Sequence, residues 1–395
     1  MASVTVDTMP TAFERLTAID SIIERIIELV VRPYLSDPLT APKRAERLTR
    51  VSRRLQPFGR AAMFHHIVVN EGYFAARLIR CLHRTPDAIP LIKSLAIGYA
   101  PSESTLDPTT IVQLLHLVAP TLRELGFECG VGSDWELEAI EAAVGANVVF
   151  PALHTATLML KAYDAIDEAA VPPILMDFVQ LVGPAVQWLR LSVDGMYVSR
   201  AHLRPYEKIL ASLAPRGLKG MRIWSLPDAL ASVLGAASAD TLRQIEIATA
   251  TNVLGRLDLV SLHVQPPLLG VRDFGVECSG VASATWRSLP ELTSLRVAGH
   301  TLNAHMLDAY PTSIRHLTLT IEPHELASVA AVVTRLALST WLPALEELSI
   351  ILNNRRTGEK IGAYQFDGLR RPRDSAAAMM AAAMANTSMG GAFGQ

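Results

Sequence analysis

Two kinds of residue in this chain have the types and spacing to do chemistry. The stretch RLTRVSRRLQPFGRAAMFHHIVV, from Arg47 to Val69, crowds Arg47, Arg50, Arg53, Arg54 and Arg60 ahead of a histidine pair, His65 and His66. Guanidinium groups at that density suit a phosphate backbone, a solvated helix face or the rim of a protein interface. Nucleic acid is the least favoured of these, because the only nearby aromatics, Phe58 and Phe64, fall at core spacing. The two histidines sit at the mouth of an expected strand, where their rings point to opposite sides and cannot easily share a metal. Acidic runs at Asp134, Glu136, Glu138 and Glu141, and at Asp164, Asp167 and Glu168, bring no Ser, Cys or His into nucleophile–base spacing. No HExxH, GxSxG or Gly-rich phosphate turn occurs. The expectation is a protein with no catalytic residues, no metal and no cofactor.

The whole chain narrows the partners further. A net charge of -2 over 395 residues points to no polyanionic partner, so the basic stretch has only local meaning. Half the residues are hydrophobic and 19% are charged, which points to extensive burial or an exposed sticky face. Cys81, Cys129 and Cys278 are too far apart in sequence for a CxxC unit and odd in number, and no secretory leader pattern opens the chain. A reducing, cytoplasmic and/or nuclear setting is therefore expected. The most apolar window, Ala169 to Leu189, has Asp177 at its centre and three prolines, which argues against a membrane span.

Helices have to carry the arginines. Ser21 and Glu24 have capping-box spacing ahead of a stripe of Ile22, Ile23, Ile26, Ile27 and Val30. Beyond Pro33, Pro38 and Pro42, the residues Ala45, Leu48, Val51, Ser52 and Leu55 form the inward side of a second helix, with Arg47, Arg50 and Arg54 outside. Pro57 fits the first turn of a third, ending near Phe64. Three such helices bury little surface alone and must lean on a neighbour or a partner. The segment from Leu16 to Val69 resembles an F-box of the type common in basidiomycete fungi, through SIIERIIELVV, LTRVSRRL and the exit LQPFGRAAMFHHIVV. That resemblance implies a docking module for the small linker subunit of a cullin-RING ubiquitin ligase. Its core and docking residues would be Ile23, Ile26, Ile27, Val30, Leu48, Val51, Leu55 and Pro57, each with packing inside the module as the alternative role. The chain departs from the family pattern where Leu16 is followed by Thr17 and Ala18 and not by Pro, where Leu55 replaces Trp and where Val51 replaces Cys.

From Leu91 onward a six-residue pattern of three apolar anchors returns, with middle positions at 95, 125, 156, 189, 221, 245, 262, 295, 317 and 348. Most gaps are those of a leucine-rich repeat, in which stacked strands and returning helices share a core that none has alone. The short gap between Ile245 and Leu262 leaves little room for a helix, and VRDFGV, Val271 to Val276, is a candidate extra strand. DPTTIVQLLHLVAPTLRELGF shows the unit: Asp107 caps, Pro108 starts a helix, and Ile111, Leu114, Leu115 and Val118 line its buried side. The expected fold is α/β, an irregular leucine-rich-repeat solenoid of parallel strands over residues 70–355. A flexible start (1–14) and the three-helix F-box-like module (15–69) precede it, and a low-complexity, disordered tail (356–395) follows.

Strand residues between the anchors are expected to face the concave side of the arc. Arg123, His154, Arg190, Arg222, Arg243, His263, Arg296 and His316 are the expected target-binding residues. Trp188, Trp224, Trp286 and Trp341 are either anchors or partial core. The module and repeats together resemble fungal F-box proteins, which implies a non-enzymatic adaptor that selects an unknown protein target for a ubiquitin ligase. The alternative is a binding scaffold whose first module is only a structural cap.

Overall fold

The computed structural model describes residues 56–70, 72–98, 107–131, 134–162, 168–194, 198–248, 259–278, 280–298, 309–321, 342–354 and 359–367. It divides into two units, Met1–Phe127 with Val148–Leu153, and Glu128–Asn147 with His154–Gln395. Ile23, Ile26, Ile27, Val30, Leu48, Val51 and Leu55 lie outside the described residues, as do Trp341 and everything from Arg370 onward.

In the first unit, α1 (Gln56–His65) carries Pro57 in its first turn and runs directly into β1 (His66–Val69). Then come α2 (Gly72–Arg84), β2 (Ser94–Ile97), α3 (Pro108–Val118) and the start of β3 (Glu124–Val131). The strands are parallel, with Leu95 in register between Ile67 and Leu125. Helix α3 forms for the reasons its sequence gives. The Asp107 carboxylate accepts from the Thr109 and Thr110 N–H groups of the first turn, and Ile111, Leu114, Leu115 and Val118 are all buried.

The second unit contains α4 (Asp134–Gly145), β4 (Thr155–Ala162), α5 (Val171–Val182), β5 (Trp188–Asp194), α6 (Arg200–Leu203), α7 (Glu207–Leu213), β6 (Gly220–Trp224), α8 (Asp228–Ala237) and β7 (Gln244–Ala248). Then follow β8 (Leu259–Val260), β9 (Asp273–Glu277), β10 (Gly280–Val281), α9 (Ser283–Ser288), β11 (Ser294–Ala298), β12 (His316–Ile321), β13 (Glu347–Asn354) and β14 (Glu359–Asp367). Its sheet runs β4-β5-β6-β7-β9-β11-β12-β13-β14, parallel except for the last pair. Ala156, Leu189, Met221, Ile245, Phe274, Leu295, Leu317 and Leu348 form one continuous row of register partners, every one buried. Burying one such large apolar side chain contributes about 1.5–3 kcal/mol. One strand per repeat, in parallel, with the anchors stacked, is the leucine-rich-repeat arrangement. Among the described residues no helix is long and apolar enough to cross a membrane.

Two expectations need correction. Within the expected tail, residues 359–367 are not disordered, because Glu359–Asp367 is β14, antiparallel to β13 at the end of the parallel series. Nor does LVSLHV supply a strand of the main sheet. The ladder passes from β7 to β9, setting Ile245 beside Phe274, so VRDFGV is the repeat strand. Leu262 belongs instead to an extended segment reaching α8 on one side and α9 on the other, where a returning helix would otherwise lie.

That substitution leaves a run of backbone donors without a ladder, and polar side chains of the two helices take them alternately. Ser261 N–H donates to Asp228 Oδ2 and His263 N–H to Ser232 Oγ, both on α8. Leu262 N–H donates to Thr285 Oγ1 and Val264 N–H to Ser288 Oγ, both on α9. The strand's period of two is matched by acceptors four apart on one helix and three apart on the other.

Two outcomes follow from this zipper. Ser288→Ala leaves the buried Val264 N–H unpaired and lowers unfolding free energy by about 1–3 kcal/mol, whereas exposed Ser212→Ala leaves it nearly unchanged in the same denaturant titration. Burial raises the Asp228 carboxyl above its ordinary 3.8, against the opposing Ser261 N–H and the Arg200 charge. A raised folded value means a contribution complete below the ordinary carboxylate value and lost as pH rises through the raised one. Asp228→Asn keeps an acceptor oxygen and removes this loss, so unfolding titrations across that interval give the variant a shallower decline; parallel declines would contradict it.

Candidate recognition face

Alternation along each strand turns every second side chain away from the buried row, so the second unit's sheet carries its own outward rows. The central one runs Thr157, Arg190, Arg222, Glu246, Gly275, Arg296, Thr318 and Ser349 across eight strands. Arg222 Nη2 is 3.3 Å from Glu246 Oε1, and the Arg222 guanidinium carbon lies 4.0 Å over the Trp224 ring centroid. Arg296 Nε stands 3.4 Å from Asp273 Oδ1, an ion-pair distance without hydrogen-bond geometry. A Cβ at Gly275 would lie 3.1 Å from Glu246 Cγ and 3.5 Å from Arg296 Nη2, so both neighbours lean over the space the glycine leaves. In the next row His316 Nδ1 is 3.3 Å from Glu347 Oε2. Lys161 on β4 is ion-paired with Glu128.

Trp188 and Gly220 are register partners, and a Cβ at Gly220 would lie 2.1 Å from the indole. The ring therefore lies across the glycine, which offers no side chain to lift it. Trp188 and Trp224 stay 38% and 37% exposed, and Arg190, also exposed, lies beside Arg222 in register. The result is a flat aromatic and cationic patch on two adjacent strands, β5 and β6.

Of the expected contact residues, Arg190, Arg222, Arg296 and His316 share this face. Arg123, in the first unit, is the residue before β3, while His154 and Arg243 immediately precede β4 and β7. These positions carry the lead-in ladder: the His154 carbonyl accepts from Gln187 and Trp188 N–H, and the Arg243 carbonyl from Arg272 and Asp273 N–H. The Arg243 guanidinium is folded back, donating to the Asp240 and Leu242 carbonyls at 3.1 Å each and lying where a Cβ at Gly270 would be. It closes a turn and does not join the face. His263 is exposed on the extended segment at α8 and α9, outside the main sheet altogether. Trp286 is half-buried, edge-on to Phe274 at 6.1 Å and to Tyr310 at 5.9 Å, and does not join the face. Pro57 is exposed in the first turn of α1. In the first unit, His66 Nδ1 lies 2.7 Å from Ser94 Oγ; burial lowers its pKa, opposed by the Glu124 charge.

Sequence reasoning missed Asp273 as a face residue, along with the platform role of Gly220. Aligning the repeats on VRDFGV exposes both, since Asp273 and Gly220 then share the row of Trp188 and Ser294.

One cluster elsewhere has the residue types of a hydrolytic relay. Ser199 Oγ and Glu168 Oε2 are each 2.8 Å from His202 Nδ1. Both contact the same ring nitrogen, whereas a relay needs nucleophile and carboxylate on opposite nitrogens. This geometry pins the start of α6 to the Glu168 turn.

No family model and no curated protein matches the chain. Among solved structures it is similar to the leucine-rich repeat-containing protein LegL7 from Legionella pneumophila, at 13% identity, covering 77% of this chain and 89% of that one, with a TM-score of 0.41.

Adding a methyl at Gly220 tests the platform. Gly220→Ala lifts the Trp188 indole toward solvent and increases acrylamide quenching of its fluorescence, measured against a Trp188→Phe background, while stability falls by no more than about 1 kcal/mol. Unchanged quenching would contradict the described packing.

Proposed function

We propose that the chain is a protein-recognition scaffold whose outward sheet face selects a partner, and that its N-terminal module docks this scaffold to the linker subunit of a cullin-RING ubiquitin ligase. The observation that carries the first part is the patch of Trp188, Arg190, Arg222 and Trp224 on rigid, register-locked strands. Side chains held on strands lose little further freedom on association, and Trp and Arg are the residues that most often dominate protein interfaces. The ligase part rests on the F-box resemblance of Leu16 to Val69 and on the order of module and repeats.

A second reading, in which the module only caps the first repeat, is favoured by one feature. Helix α1 runs unbroken into β1, the His65 carbonyl accepts from Lys93 N–H, and Arg60 Nη1 is 2.8 Å from Asp87 Oδ2. Terminal repeats need such a cover over their apolar edge.

Co-purification with the linker subunit separates the two. The adaptor reading expects a complex at micromolar concentration that is lost on changing Arg50 and Arg54, which the sequence pattern puts on the exterior of the second helix, to Glu with unchanged circular dichroism. The cap reading expects no complex from the wild-type chain.

A further inference from the structure

Cations on the strands of the second unit's face come with carboxylates. Lys161 has Glu128, Arg222 has Glu246, Arg296 has Asp273 and His316 has Glu347. Arg190 is the exception among the described side chains. It is exposed, has no acidic partner, and its register neighbour across the β5–β6 pair is another arginine. Parallel strands are about 4.8 Å apart, so two guanidinium groups share one small region and Glu246 neutralises only one of them. Trp188 lies pinned over Gly220 on one side, and Trp224 lies beneath Arg222 on the other.

We infer that Trp188, Arg190, Arg222 and Trp224 form a docking site for an extended acidic segment of a partner protein, in which one carboxylate meets Arg190 and an adjoining apolar side chain lies on the Trp188 ring. The inference rests on reading the face as a recognition surface, and adds the chemistry of what it recognises. A carboxylate delivered to Arg190 completes the pairing pattern that the other face cations already have. Flanking indoles exclude water from that contact, which strengthens a charge-assisted hydrogen bond. The Trp188 ring needs no ordering on binding, because Gly220 has already let it lie down. A nucleic acid fits poorly, since Glu246, Asp273 and Glu347 lie on the same outward face and would meet its phosphates.

The test uses the full chain and two display libraries of ten-residue peptides, randomised around a fixed central Asp in one and a fixed Asn in the other. The expected result is enrichment from the Asp library alone, with an apolar residue beside the acid. Arg190→Ala should then weaken the selected peptides by about tenfold or more, and Arg190→Lys should restore part of that loss. Trp188→Phe should weaken them less, with circular dichroism unchanged throughout. Equal enrichment from the Asn library, indifference to Arg190→Ala, or tighter binding of an oligothymidylate probe would overturn the inference. So would self-association abolished by Arg190→Ala with no peptide enriched, since the occupant would then be a second copy. Peptides weakened by Arg296→Ala and His316→Ala but not by Arg190→Ala would overturn this site and leave the recognition face standing. Peptides indifferent to all of these changes would remove both.

Discussion

Everything in this fold depends on each coil lending its backbone to the next without a shift in register. In the second unit the residue ahead of a strand offers one carbonyl to two N–H groups of the following coil. Gln187 does so for Lys219 and Gly220, Lys219 for Arg243 and Gln244, Arg272 for Thr293 and Ser294, and Thr293 for Arg315 and His316. Because that pairing fixes where each strand begins, the middle apolar residue of one coil always lands against the middle residue of the next. A single coil has neither partners for its backbone nor cover for its leucine, so stability resides in the stacking.

The same constraint makes the outward face orderly. Side chains standing between the anchors inherit the register, so Arg222 meets Glu246 at the same level of the neighbouring strand, and Arg296 reaches Asp273 diagonally, one row away. These pairs are partly solvated and each contributes only about 0–1 kcal/mol to stability. Their importance is in holding long side chains in place. They also leave the Arg190 region, with its two tryptophans, chemically distinct from the rest of the sheet.

Local patterns were legible in the sequence, and distant choices were not. The cap at Asp107, the helix start at Pro57 and the row through Leu189, Leu295 and Leu348 follow from spacing alone. LVSLHV and VRDFGV both satisfy the anchor pattern, and nothing inside either one decides which joins the ladder. The deciding groups are Asp228, Ser232, Thr285 and Ser288, whose side chains supply the backbone acceptors that let residues 261–264 run extended outside the main sheet. His263 consequently moved off the expected face. Arg243 failed for a related reason: its fate depends on Gly270, 27 positions further on, which leaves room for the guanidinium to fold back. The flat seating of Trp188 likewise depends on a residue one repeat away.

Disulfide trapping across the disputed coil tests the register account most directly. In a chain with Cys81 changed to Ser, cysteines at Gln244 and Asp273 are register partners within the Cα separation a disulfide tolerates, and should cross-link rapidly under mild oxidation. Cysteines at Gln244 and Ser261, which would be partners if LVSLHV formed the next strand, should not. Rapid trapping of the second pair and not the first would contradict the stacked register on which the face depends.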